Sequence, residues 1–264
     1  MKKIFLAISI LALSTVSCQK IIDIEQEDAD KRTVIEAILL EGTNNFDVRI
    51  TETSNFFGDN TPVPITNATV VLNDGTSDYT LASFADGNYQ LVGFNAISGT
   101  EYTLTVNENG NSFVAKGTMP AIVTIDTIAY QFIEQSTFSD SGYITQIEFN
   151  DPGAKDNYYR IEVDVQGTYY GDISSLILLD DGFLNGNRIE FPLFAIDVAQ
   201  AYDNVTMKLS SCDKSTFTYL EGLDALINSG NGAPPANPSS NFSNGALGNF
   251  SLYASDTKSI AIIP

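Results

Sequence analysis

Between Thr33 and Thr118 apolar and polar residues alternate with a period of two, interrupted only by turn residues. That rhythm matches strands, whose side chains point to opposite faces in turn, and it is incompatible with the 3.6-residue period of a helix. Phe46, Val48 and Ile50 share one face against Asp47, Arg49 and Thr51, and Tyr102, Leu104 and Val106 do so against Thr103 and Thr105. The same pattern predicts strands around Val34–Leu40, Ala68–Asn73, Asp78–Ala82, Asn88–Gly93 and Ser112–Gly117. Asn73-Asp74-Gly75, Asp86-Gly87, Ser98-Gly99 and Asn109-Gly110 supply the turns between them. Seven short strands in roughly 85 residues predict a β-sandwich of the immunoglobulin or transthyretin kind over residues 33–120. Met119-Pro120 closes it, because proline drives the preceding residue into an extended conformation and ends pairing.

Residues 121–264 read as a second β-rich domain with one short helix. Strands are expected near Ile122–Phe132 and Tyr143–Phe149. After the Asp151-Pro152-Gly153 turn, Tyr159, Ile161, Val163 and Val165 face one way, and Tyr158, Arg160, Glu162 and Asp164 the other. Gln166-Gly167 turns into a partner beginning at Tyr169. The helix is expected near residues 213–228, with Asp213 as its cap and Phe217, Leu220, Asp224 and Ile227 at spacings of three and four. Pro234-Pro235 and Asn237-Pro238 keep 228–241 irregular, and Phe250, Leu252 and Ile260–Ile263 read as closing strands.

Residues 1–17 belong to neither domain. Met1-Lys2-Lys3 is a charged start, and the apolar run from Ile4 to Val16 falls short of the roughly 20 residues a membrane-spanning helix needs. The stretch Leu13-Ser14-Thr15-Val16-Ser17-Cys18 resembles a bacterial lipobox, in which Cys18 becomes a diacylated N-terminus. Thr15 stands where leucine is usual, which leaves ordinary cleavage with an unmodified Cys18 as the alternative. Several acyl chains together hold a protein stably on a membrane. Residues 18–32 then form an acidic tether with Asp23, Glu25, Glu27, Asp28 and Asp30, read either as a solvated spacer or as a surface-export signal.

Charge and residue counts exclude several functions. The 264 residues carry 33 acids against 13 lysines and arginines, a net charge of -20, which opposes nucleic-acid binding. Losing Lys2 and Lys3 with the signal makes the mature chain more acidic still. With no histidine, the commonest general base and zinc ligand is missing; with two cysteines, neither a Cys-rich zinc site nor a disulfide framework can form. Cys212 therefore has no histidine to activate it and reads as a buried hydrophobe. Asp180, Asp181, Asn185, Asn187 and Glu190 are oxygen ligands, but adjacent acids followed at once by Gly182 break calcium-loop spacing and favour a turn. No pattern singles out a carboxylate pair for glycoside hydrolysis, and Lys214-Ser215 reads as the start of the helix. The expectation is a protein that is no enzyme and holds neither metal nor cofactor. Aromatics are the better binding candidates: Phe56 and Phe57 in a polar loop, and Tyr158 and Tyr170 from the pairs Tyr158-Tyr159 and Tyr169-Tyr170, where alternation turns one ring of each outward.

Several blocks in order carry a wider resemblance: Cys18-Gln19-Lys20-Ile21-Ile22-Asp23-Ile24, Asn157-Tyr158-Tyr159, and Asp181-Gly182-Phe183-Leu184-Asn185-Gly186. Asn237-Pro238 and then Ser243-Asn244-Gly245-Ala246-Leu247-Gly248-Asn249-Phe250 follow. Together they resemble the Bacteroidota lipoproteins grouped as domain-of-unknown-function 4249, with Asn241-Phe242-Ser243-Asn244 departing from the usual Ser-Asn-Ile-x-Asn. The resemblance implies an outer-membrane lipoprotein, lipid-anchored at Cys18 and exposed at the cell surface or on the periplasmic face. It further implies an accessory subunit of a TonB-dependent nutrient receptor and carries over no catalytic residue. In that bacterial group Asp126-Thr127-Ile128 would mark Thr127 for O-glycosylation. The alternative function is a stand-alone surface adhesin or carbohydrate-binding module, and the two differ in whether an outer-membrane barrel accompanies the protein.

Overall fold

The computed structural model describes residues 30–54, 61–135, 140–182, 185–194, 196–228 and 237–264. The chain divides into Met1–Asp30 and Lys31–Pro264, and the architecture below is that of the second unit.

It is mainly β. In the first half lie β1 (Thr33–Leu40), β2 (Asn45–Glu52), β3 (Val63–Pro64), β4 (Thr69–Asn73), β5 (Asp78–Thr80), β6 (Ala82–Ser83), β7 (Asn88–Val92), β8 (Glu101–Glu108) and β9 (Asn111–Thr118). All seven expected strands are there. The one expected at Asp78–Ala82 is split, because β5 pairs with β4 in one sheet and β6 with β7 in another. Leu81 sits at that corner, buried between the layers, with its N–H donated to Val70 O. The two-residue β3, paired to the end of β2, is too short for alternation to reveal.

The second half supplies β10 (Ile125–Ile133), β11 (Gly142–Asn150), β12 (Tyr158–Val165), β13 (Thr168–Tyr170), a 3-10 turn (Ile173–Ser175), β14 (Ile177–Asp180), β15 (Arg188–Pro192), β16 (Asn204–Cys212), the helix α1 (Lys214–Asn228) and β17 (Leu247–Ala261). One ten-stranded sheet runs β13-β12-β16-β17-β1-β2-β7-β6, with β14 beside β12 and β3 beside β2. A four-stranded sheet, β5-β4-β8-β9, covers one part of it, and a three-stranded sheet, β10-β11-β15, covers another. Two sandwiches thus share one sheet.

Their cores are separate. Ile35, Leu39, Phe46 and Ile50 pack against Leu72, Tyr102, Leu104 and Val106 in the first. In the second, Ile161, Val163, Met207 and Leu209 meet Ile147 and Phe149. Each such side chain contributes about 1.5–3 kcal/mol by leaving water. Met119–Pro120 separates the two cores, but β17 crosses between them. Its first part pairs in parallel with Val34–Leu40, and from Tyr253 onward it pairs antiparallel with β16. The two closing strands expected from sequence are therefore a single strand of 15 residues. Ser255, Asp256, Thr257, Lys258 and Ser259 give its middle no apolar rhythm, yet no glycine or proline interrupts that stretch.

Close approach of β17 to β1 depends on Gly248. Its φ is +93°, and a Cβ there would overlap the carbonyl of Ile35. On the opposite edge no strand pairs with this part of β17 among the described residues; the Asn241 side chain takes that place. Its Nδ2 donates to Phe250 O and its Oδ1 accepts from Phe250 N–H, each at 2.9 Å.

Candidate functional site

The helix forms where its cap was expected. Asp213 Oδ1 accepts from Thr216 N–H at 3.2 Å and Oδ2 from the Ser215 hydroxyl at 2.6 Å, satisfying donors that the first turn leaves open. Phe217 and Leu220 are buried and Leu223 partly so, whereas Ile227 is 53% exposed, since the last turn runs beyond the sheet face that the first turns cover. Beneath the helix lie Cys212 and Tyr253, which with Phe217 and Leu220 form a third apolar cluster on the outer face of the shared sheet.

A groove of about 660 Å³ remains open between α1 and β14. Leu176, Leu178 and Phe217 give it an apolar floor, and Asp180, Glu221 and Asp224 stand among its lining residues, with no lysine or arginine among the described ones. Strand alternation makes the floor: Ile177 and Leu179 pack toward the second core, while Leu176 and Leu178 join the cluster under the helix. The unbroken run Leu176–Leu179 is the sequence signal that a second layer must cover this strand, and the alternation rule alone passes over it.

Farther along the same outer face, Glu162 gathers three partners. Arg160 Nη2 lies 3.4 Å away, Lys208 Nζ donates at 3.0 Å, and the Tyr169 hydroxyl donates as well. Burial would raise the Glu162 carboxyl, but Tyr169, Arg160 and Lys208 together outweigh it and hold the group below its ordinary value. Tyr169 is pushed up to about 12, first by desolvation and then by its bond to Glu162.

The residues singled out from sequence do not converge. Cys18, Phe56 and Phe57 lie outside the described residues. Tyr159 is fully buried and Tyr158 faces the other way, where its ring sits 4.9 Å from that of Phe217 beneath α1. In the second pair Tyr169 is the exposed ring, at 52%, while Tyr170 packs half-buried against the second core and donates to Asp197 Oδ2 at 2.8 Å. The assignment of Tyr170 as the outward ring is thereby corrected, because the turn at Gln166-Gly167 sets which face each residue meets. Thr127 is exposed on β10, next to a shift in strand register. Cys212 is 4% exposed, and burial pushes its thiol well above the ordinary range. The Asp180 region forms a turn whose carboxylates serve the local backbone: Asp180 Oδ1 accepts from Gly182 N–H, and Asp151 Oδ2 from Gly186 N–H. No group of three or more acidic or cysteine side chains is placed for a metal among the described residues.

The profile of the family described as Domain of unknown function (DUF4249) matches residues 19–259. The chain belongs to that family. A comparison with curated proteins gives no match. The most distinctive run by which the sequence resembles DUF4249 proves to be a clasp on the first sandwich. Ser243 exchanges hydrogen bonds with Val114, its N–H reaching Val114 O at 2.9 Å and its hydroxyl accepting from Val114 N–H. Asn244 donates to Ser112 O, Gly245 O accepts from Arg32 Nε at 3.0 Å, and Pro238 packs on Gly222 of α1. Asn241, part of the departure from the usual pattern, is the residue that caps β17. In this member of DUF4249 the signature closes a fold and leaves the groove to other residues.

Proposed function

We propose that this chain is a lipid-anchored outer-membrane lipoprotein, tethered through Cys18, that serves as a non-enzymatic accessory subunit of a TonB-dependent nutrient transporter. The groove between α1 and β14 carries the reading. It is open, floored by Leu176, Leu178 and Phe217, and bordered by Asp180, Glu221 and Asp224, a chemistry suited to holding an apolar segment with basic flanks. The acidic tether after Cys18 and the net charge of -20 make a second copy or the chain's own N-terminal segment a poor occupant and a basic loop of a partner a good one. Membership in DUF4249 and the lipobox-like end at Cys18 support the membrane context.

The test is purification of the tagged protein from native outer membranes in mild detergent, followed by mass spectrometry. A barrel receptor is expected in stoichiometric amount with the wild type and much reduced with Glu221→Lys. Recovery of wild type with no barrel above background contradicts the reading. Trypsin treatment of intact cells reports the leaflet: cleavage before lysis supports surface exposure, and protection until lysis assigns the periplasmic face.

A further inference from the structure

A second cavity lies at the seam of the two sandwiches, apart from the groove. It measures about 280 Å³ and is lined by Met119, Pro120 and Val123 on one side and by Asp156, Asn157, Tyr158, Ser211 and Lys214 elsewhere. Ser211 is 5% exposed, and its hydroxyl has no hydrogen-bond partner among the described residues. A buried hydroxyl without a partner is costly, and such groups persist where something else bonds them.

The cations sharpen this. Among the described lysines and arginines, all but two are engaged. Lys31, Arg49, Lys116, Arg160, Arg188 and Lys208 reach carboxylates. Arg32 and Lys258 donate to backbone carbonyls. Lys155 and Lys214 alone have no such partner among the described residues. Lys214 lines the seam cavity, and Lys155 directly precedes Asp156, which also lines it. In a chain with a net charge of -20, one of the two uncommitted cations, Lys214, lines a small cavity that also holds the unpartnered hydroxyl. Two carboxylates share the lining, and both are engaged: the Asp213 oxygens serve the helix cap, and Asp156 accepts from the Tyr158 hydroxyl at 3.3 Å.

We infer that the seam cavity binds a small hydroxylated carboxylate of the uronic-acid type. Lys214 draws the carboxylate; Ser211 bonds a ligand oxygen at depth; Asp156 and Asn157 accept from ring hydroxyls; and Met119, Pro120 and Val123 meet the apolar face of the ring. The volume admits one sugar ring and excludes a chain of them. This site stands whether or not a transporter partner exists.

Isothermal titration of the purified full chain with galacturonate, galactose and glucosamine tests the proposal. Galacturonate is expected to bind saturably and about tenfold or more tighter than the other two. Lys214→Glu, a change at an exposed first-turn position that a helix tolerates, should remove that preference. Ser211→Ala should weaken binding severalfold while leaving the melting temperature unchanged or higher, because it deletes a group that bonds nothing in the protein. Absence of saturable galacturonate binding, equal binding of galactose, or full binding by Lys214→Glu would each overturn the inference.

Discussion

The two sandwiches share a sheet but differ in what their polar side chains leave open. In the first, polar groups close the structure. The Tyr89 hydroxyl donates to Ile65 O and accepts from Ala68 N–H, the Tyr102 hydroxyl accepts from Ile97 N–H, and Asn241 and Ser243 complete strand edges. In the second, Thr145 Oγ1, Arg160 Nε, Asn185 Oδ1 and Ser211 Oγ are buried without protein partners among the described residues, against Glu41 Oε2 and Asn249 Oδ1 in the first, and the groove opens there while the smaller cavity lies at the seam. Satisfied buried groups rigidify, while unsatisfied ones persist where binding repays their cost. On the reading proposed above, the first sandwich is scaffold, and the second, with the seam beside it, does the recognising.

The largest expected break of this contrast is at Gly248. Gly248→Val forces a side chain into the Ile35 carbonyl at a left-handed backbone position, and should cost about 3 kcal/mol or more, or abolish folding, in thermal unfolding monitored by circular dichroism. Asn241→Ala comes next. It strips two bonds from the edge of β17 and should cost about 1–3 kcal/mol in urea titration, with binding at the seam cavity retained.

A third expected effect is a dependence on pH. Glu162 is held below its ordinary 4.5 by Tyr169, Arg160 and Lys208 against the opposing effect of burial. A depressed carboxyl stabilises the fold fully above that ordinary value, and the contribution is lost as pH falls through the folded-state value. Melting curves of wild type and Glu162→Gln should therefore differ at pH 7 and converge as the pH drops below 4.5. The smallest effect should come from the Cys212 thiol: buried and shifted upward, it should resist alkylation at pH 8 until the protein is unfolded.

Much of this fold is written in local pattern. Half-buried strands such as β2 and β8 announce themselves because one face is core and the other is water. Asp213 is legible as a cap because the apolar spacing begins just after it. β17 is less so, since its first part is buried on both faces and its middle carries serine, threonine and charge. The sites are the least legible. Nothing local sets Leu176 and Leu178 opposite Phe217, and a serine inside a strand gives no sign that, as at Ser211, it will lack a partner. Both depend on where β12, β14, β16 and α1 meet, which is a property of the tertiary arrangement.

Amide hydrogen exchange of the purified full chain, with and without galacturonate, tests the division of labour most directly. Added protection should be confined to residues around 118–123, 151–159 and 211–216, with β1, β2, β4 and β8 unchanged. Protection centred on the first sandwich, or none anywhere at saturating ligand, would contradict the assignment of recognition to the second.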